Sequence, residues 1–100
     1  YLNTLPFIYG IQKSRLKSLV KLDLDFPSVC ADKLINNQVD LALVPIVTMQ
    51  DLDYASIVSN YCIGSDGIVD TVCLYSDVPI SKIQSIYLDY QSKTSVEHRA

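Results

Sequence analysis

Histidine and glutamate are almost missing from this chain: His98 and Glu97 are the single examples of each. General acid–base sites draw heavily on these side chains or on a matched carboxylate pair. The aspartates fall mainly at expected turns and strand edges, and no two of them stand at a spacing that compels such a role. Glu97 and His98 themselves read as part of a solvated helix face. Glycine is scarce as well, with three residues, and no GxGxxG, P-loop or GxSxG pattern can be assembled from them. That removes the usual signatures of dinucleotide, nucleoside triphosphate and acyl-enzyme sites.

Positive charge is also thin. Eight Lys and Arg stand against eleven acidic residues for a net charge of −3, and the densest basic grouping is the scattered Lys13, Arg15, Lys17 and Lys21. A nucleic-acid footprint is excluded on that distribution. The apolar stretches Leu41–Val47 and Tyr61–Ile63 fall far short of the roughly 18 residues of a membrane span, so no membrane partner is expected. No basic n-region followed by an apolar h-region opens the chain. Cys30, Cys62 and Cys73 are odd in number and lack CxxC or His-rich spacing, which argues against a zinc site or a disulfide framework. They are expected to be reduced, mostly buried thiols of a cytoplasmic protein.

What is present is a globular composition: 49% hydrophobic and 19% charged residues over 100 positions, enough apolar material for a core. Because it opens on Tyr1 and stops at Ala100 inside an expected helix, the chain is expected to be a piece of a longer protein. Pro6 after Asn3 and Thr4 predicts a capped helix through Lys17. Leu22, Leu24 and Phe26 alternate with Lys21, Asp23 and Asp25, the period of a half-buried strand over 19–26. Ser28 is expected to cap a helix with Val29, Cys30, Leu34 and Ile35 inward and Asp32, Lys33 and Asn36 toward water, ending near Asn36 and Asn37.

Asp40–Pro45 reads as a strand buried on both faces, and strand, helix, strand at this spacing predicts parallel pairing. Ile46–Leu52 predicts one or two helical turns. Strands are expected over 54–59, 68–75 and 85–88, with a turn at 79–83 and a final helix capped by Ser92 or Thr94. The expected class is α/β.

Three loops gather polar residues at strand ends, where open α/β sheets place ligands. In Tyr1–Pro6, Asn3 and Thr4 offer donors and acceptors at a helix start, and capping alone explains them equally well. In Tyr61–Gly67, Gly64 and Gly67 permit positive φ or close approach, and Ser65 and Asp66 suit either an unliganded tight turn or a ligand loop. Thr71 follows on one face of the next strand. In Asp89–Ser95, Ser92, Lys93, Thr94 and Ser95 would converge on a carboxylate or phosphate, or simply cap a helix.

The ordered motifs Tyr1–Phe7, Asp40–Pro45, Tyr61–Val69 and Ser92–Val96 resemble the chorismate dehydratase family of the futalosine route to menaquinone. The resemblance implies the two-lobed fold of type 2 periplasmic binding proteins, with substrate in the cleft. Residues 1–83 would form most of lobe one without its first strand, and 84–100 would begin lobe two. It implies conversion of chorismate to 3-[(1-carboxyvinyl)oxy]benzoate and water with no metal or organic cofactor. The route is substrate-assisted, with a substrate carboxylate taking the proton.

Carried onto this sequence, Asn3 matches the cleft asparagine near the departing hydroxyl, and Thr71 stands where relatives often carry a serine at the reaction centre. Thr4 and Ser65 would contact substrate, and Ser92, Lys93, Thr94 and Ser95 would hold carboxylate. Lys93 replaces a common arginine, keeping the charge without the fork geometry. Ile68 replaces a common proline, touching the turn more than the site. A non-catalytic solute-binding protein of the same fold is the competing expectation. A bare α/β module whose three loops are ordinary caps is a third.

Overall fold

A computed structural model of the protein describes residues 2–70 and 73–91. A 3-10 turn at Leu2–Thr4 runs directly into helix α1, Leu5–Gln12, with Pro6 in its first turn. Thr4 stands at the N-cap in helical geometry, with φ −85° and ψ −13°, and makes no side-chain cap bond. Capping by a hydroxyl needs an extended backbone at that position, and the preceding 3-10 turn denies it. The helix expected through Lys17 instead breaks after Gln12. The Ser14 hydroxyl donates to the Ile11 carbonyl at 3.0 Å and accepts the Leu16 N–H at 3.2 Å. This bridge turns the chain into a short helix α2, Leu16–Leu19.

Helix α3, Pro27–Ile35, starts on a proline after an extended Phe26, φ −64° and ψ 153°. Ser28 therefore lies one residue inside the helix rather than at its cap. Its hydroxyl donates to the Tyr90 carbonyl at 3.0 Å, and its N–H donates to the Gln91 carbonyl at 3.3 Å. The Phe26 ring meets Tyr90 edge-on, with centroids 6.3 Å apart and planes at 89°.

The end of α3 follows the sequence reading. Asn37 takes the left-handed region at φ 56°. Its N–H donates to Leu34 at 3.2 Å and that of Gln38 donates to Lys33 at 2.8 Å, the paired bonds of a Schellman stop. Lys33 reaches back from the last turn to Asp25, Nζ to Oδ2 2.5 Å. That hydrogen bond is the main cause that holds the Lys33 ammonium above its ordinary pKa of 10.5, against a smaller opposing effect of desolvation.

Further 3-10 turns occupy Ile46–Asp51 and Ile80–Lys82, each led in by a proline. These match the helical turns and the chain reversal expected at both places. The five expected strands are a different matter, because no β-ladder forms among the described residues. A strand has no internal hydrogen bonds and becomes one only beside a neighbour. Over 40–45 the chain keeps a one-sided pattern, with Ala42 and Val44 half-buried and Leu41 and Leu43 exposed, instead of burial on both faces.

The consequences reach the whole chain. It exposes 9198 Å², where a compact monomer of 11.2 kDa would expose about 5,700 Å². The Cα radius of gyration is 16.5 Å, against about 13 Å for a compact chain of this length. Ala31 and Thr48 are the buried residues among those described. The cysteines share this openness: Cys62 and Cys73 are exposed and Cys30 is half-buried, a correction to the burial expected of them. Among the described residues no sheet covers their apolar sequence neighbours. Among the described residues no helix is long and apolar enough to cross a membrane.

Candidate functional site

Asn3 of the leading 3-10 turn and Pro6, Phe7, Gly10 and Ile11 of α1 line one side, a recurrence of three to four residues that sets side chains on a single helical face. Opposite lies the segment from Ser59 to Ile63. The Ser59 hydroxyl accepts the Tyr61 N–H at 2.9 Å and donates to the Tyr61 carbonyl at 3.1 Å, a local turn that shapes the approach of Tyr61, Cys62 and Ile63. Leu16 closes one end from α2. Between them is an open groove of about 570 Å³.

The lining is chiefly apolar, and among the described residues no charged side chain takes part in it. The Asn3 amide and the Ser59 hydroxyl supply directional donors and acceptors, with the Tyr61 phenol and Cys62 thiol beside them. Such a pocket can hold an apolar ring and orient one or two of its polar substituents.

Two of the three loops singled out in the sequence thus meet here. Asn3 from the first faces Tyr61 and Cys62 from the second. Thr4 is half-buried behind the helix start and does not line the pocket. Ser65 lies outside it as well, exposed, its hydroxyl donating to the Gly67 carbonyl at 3.2 Å across a turn in which Gly67 has φ 114°. Gly64 is not required for close packing: a Cβ there would sit 3.7 Å from the Cys62 sulfur, an ordinary contact.

Of the third loop, Asp89–Gln91 is described. Asp89 Oδ1 accepts the Gln91 N–H at 2.9 Å, and Gln91 Nε2 donates to the Tyr90 hydroxyl at 3.1 Å. Its attachment to Ser28 uses an N–H at the start of α3, so that donor is committed to the protein rather than to a ligand. Thr71, Ser92, Lys93, Thr94 and Ser95 lie outside the described residues. Among those described, no cluster of three or more His, Cys, Asp or Glu could hold a metal. Phe7, Gly10, Ile11, Leu16 and Ser59 were not singled out from the sequence. The helical spacing of Asn3, Phe7, Gly10 and Ile11 is the signal that would have found most of them.

These features define a chain with an open groove at a helix face, apolar and without charge among the described residues. A family model described as menaquinone biosynthesis matches residues 1–97, and the chain belongs to that family. Its role accordingly lies in menaquinone biosynthesis. No curated protein and no solved structure matches the chain.

Proposed function

We propose that the protein acts as a carbon–oxygen lyase of the futalosine route, dehydrating chorismate to 3-[(1-carboxyvinyl)oxy]benzoate. The observation that carries this reading is the placement of Asn3 in a ring-sized apolar pocket, in a chain of the menaquinone-biosynthesis family. In the proposed reaction the ring C–O bond breaks and the hydroxyl departs with its electron pair, leaving as water after gaining a proton. The electrons of the neighbouring ring C–H bond complete the aromatic ring, and that proton passes first to a substrate carboxylate. A substrate this close to aromaticity asks mainly for orientation, and a pocket without a strong base can supply that.

In this reading Asn3 donates to the departing hydroxyl and Thr71 shares the reaction centre. Thr4 and Ser65 contact substrate, and Ser92, Lys93, Thr94 and Ser95 hold carboxylate. The proposed setting is a cytoplasmic α/β protein of two lobes like type 2 periplasmic binding proteins, 1–83 contributing to the first and 84–100 beginning the second, with no cofactor.

The test is to express the complete reading frame that encodes this chain and incubate the product with chorismate, separating the products by liquid chromatography with mass detection. Carboxyvinyloxybenzoate should accumulate, and Asn3→Ala should lower kcat by about 10²–10³-fold, the usual loss when one preorganised donor is removed. Saturable binding of chorismate that is recovered intact would replace this reading with a solute-binding protein. An Asn3→Ala enzyme of unchanged activity would remove Asn3 from the reaction centre.

A further inference from the structure

Gly10 lies within α1, and glycine is the least favourable residue after proline in a helix interior. Three physical reasons retain glycine at such a place: a positive φ, a neighbour too close for a Cβ, or space needed by something that binds. The first fails here, since Gly67 is the described glycine with positive φ. The second fails too, because a Cβ built on Gly10 meets nothing within 4 Å. The third fits, as Gly10 lines the pocket together with Asn3, Phe7 and Ile11.

We propose that Gly10 is a specificity-determining position, the bare stretch of helix wall against which the ring of the bound ligand lies. The inference rests on the substrate reading above for the ligand's identity, and on geometry alone for its location. A ring face packs on exposed helix backbone without displacing any side chain, while Asn3, seven residues earlier at the start of the same wall, addresses a substituent. A methyl at Gly10 would intrude on that ring. A leucine would occupy its place.

The experiment compares wild type, Gly10→Ala and Gly10→Leu in the protein expressed from the complete reading frame. KM for chorismate should rise about threefold in Gly10→Ala and about tenfold or more in Gly10→Leu, the scale on which pocket volume discriminates ligands. The value of kcat should stay within about twofold, the pattern of lost uniform binding. Gly10→Ala should melt no lower than wild type, since alanine favours the helix. A lower melting temperature for Gly10→Ala, or an unchanged KM in a folded Gly10→Leu protein, would overturn the proposal.

If wild type leaves chorismate unconverted, the functional reading fails and the location of Gly10 is decided without substrate. Iodoacetamide labelling of Cys62, which shares the pocket wall, is then followed by peptide mass spectrometry. Gly10→Leu should slow it about fivefold, because thiol reactivity depends on access. An unchanged labelling rate would place Gly10 away from the pocket space and overturn the proposal.

Discussion

Replacing Thr48 by valine should make the protein more stable. Thr48 is fully buried, at 0% exposure, in the 3-10 turn Ile46–Asp51. Its Oγ1 has no hydrogen-bond partner among the described residues. The Pro45 carbonyl, three residues back, already accepts the Thr48 N–H at 2.9 Å. A buried hydroxyl left without a partner costs about 1–3 kcal/mol relative to its hydrated state. Valine keeps the branched shape and β-branched stiffness while exchanging that hydroxyl for a methyl. The expected gain is therefore about 1–3 kcal/mol, and each kcal/mol corresponds to roughly 4–8 °C in Tm for a domain of 60–100 residues.

The assay is urea denaturation followed by circular dichroism, in which Thr48→Val should raise the midpoint at unchanged m. Two further variants separate the causes. Thr48→Ser keeps the unpaired hydroxyl but loses the methyl, so it should lose roughly 0.8 kcal/mol. Thr48→Ala removes both hydroxyl and methyl, so the two effects oppose each other and it should fall between serine and valine. A valine variant destabilised by about 1 kcal/mol or more would refute the reasoning, because it would mean that the hydroxyl is satisfied, for example by an ordered internal water.

The raised Lys33 pKa gives a prediction at the alkaline end. A folded-state pKa above 10.5 means the Lys33–Asp25 contribution is complete below that pH and fades as pH rises through the folded value. Melting temperatures of wild type and Asp25→Asn should therefore converge between about pH 10 and 12, and a difference that stays constant across that range would contradict the pairing. Left-handed geometry at Asn37, φ 56°, predicts that Asn37→Ala loses about 1–2 kcal/mol in urea denaturation while Asn37→Gly does not. Equal effects of the two would remove the strain argument.

Local chemistry was the legible part of the fold. Pro6 starts a helix where fixed φ is favourable, and Asn36–Asn37 end one where asparagine tolerates left-handed backbone, whereas Pro27, expected to end a strand, starts the helix instead. Pro45 and Pro79 each lead into a helical turn for the same reason. Cap identities were harder to read, because Thr4 differs from a true cap by a backbone angle and Ser28 by two residues. The strands were read from alternation at 19–26 and 68–75 and from an apolar run at 40–45, but such a pattern states which faces would be buried, and ladder formation depends on neighbours distant in sequence. The site divides in the same way. Asn3 and the Tyr61–Gly67 loop stood out separately through their residue types, whereas their convergence across one pocket is a long-range contact. Gly10 gave no signal until the helix around it had a face.

The attachment of Ser28 to Tyr90 joins positions 62 residues apart and so makes a closed ring of the intervening chain. Closing a flexible loop of that length costs about 3.7 kcal/mol in chain entropy beyond a constant. Two hydrogen bonds at about 1 kcal/mol each and an aromatic pair at about 0.5–1.5 kcal/mol come close to offsetting it without exceeding it. The clasp therefore persists only while the chain it encloses is itself ordered and has less entropy to surrender. Hydrogen exchange at the Ser28 amide becomes a single-residue gauge of order in everything between α3 and Gln91.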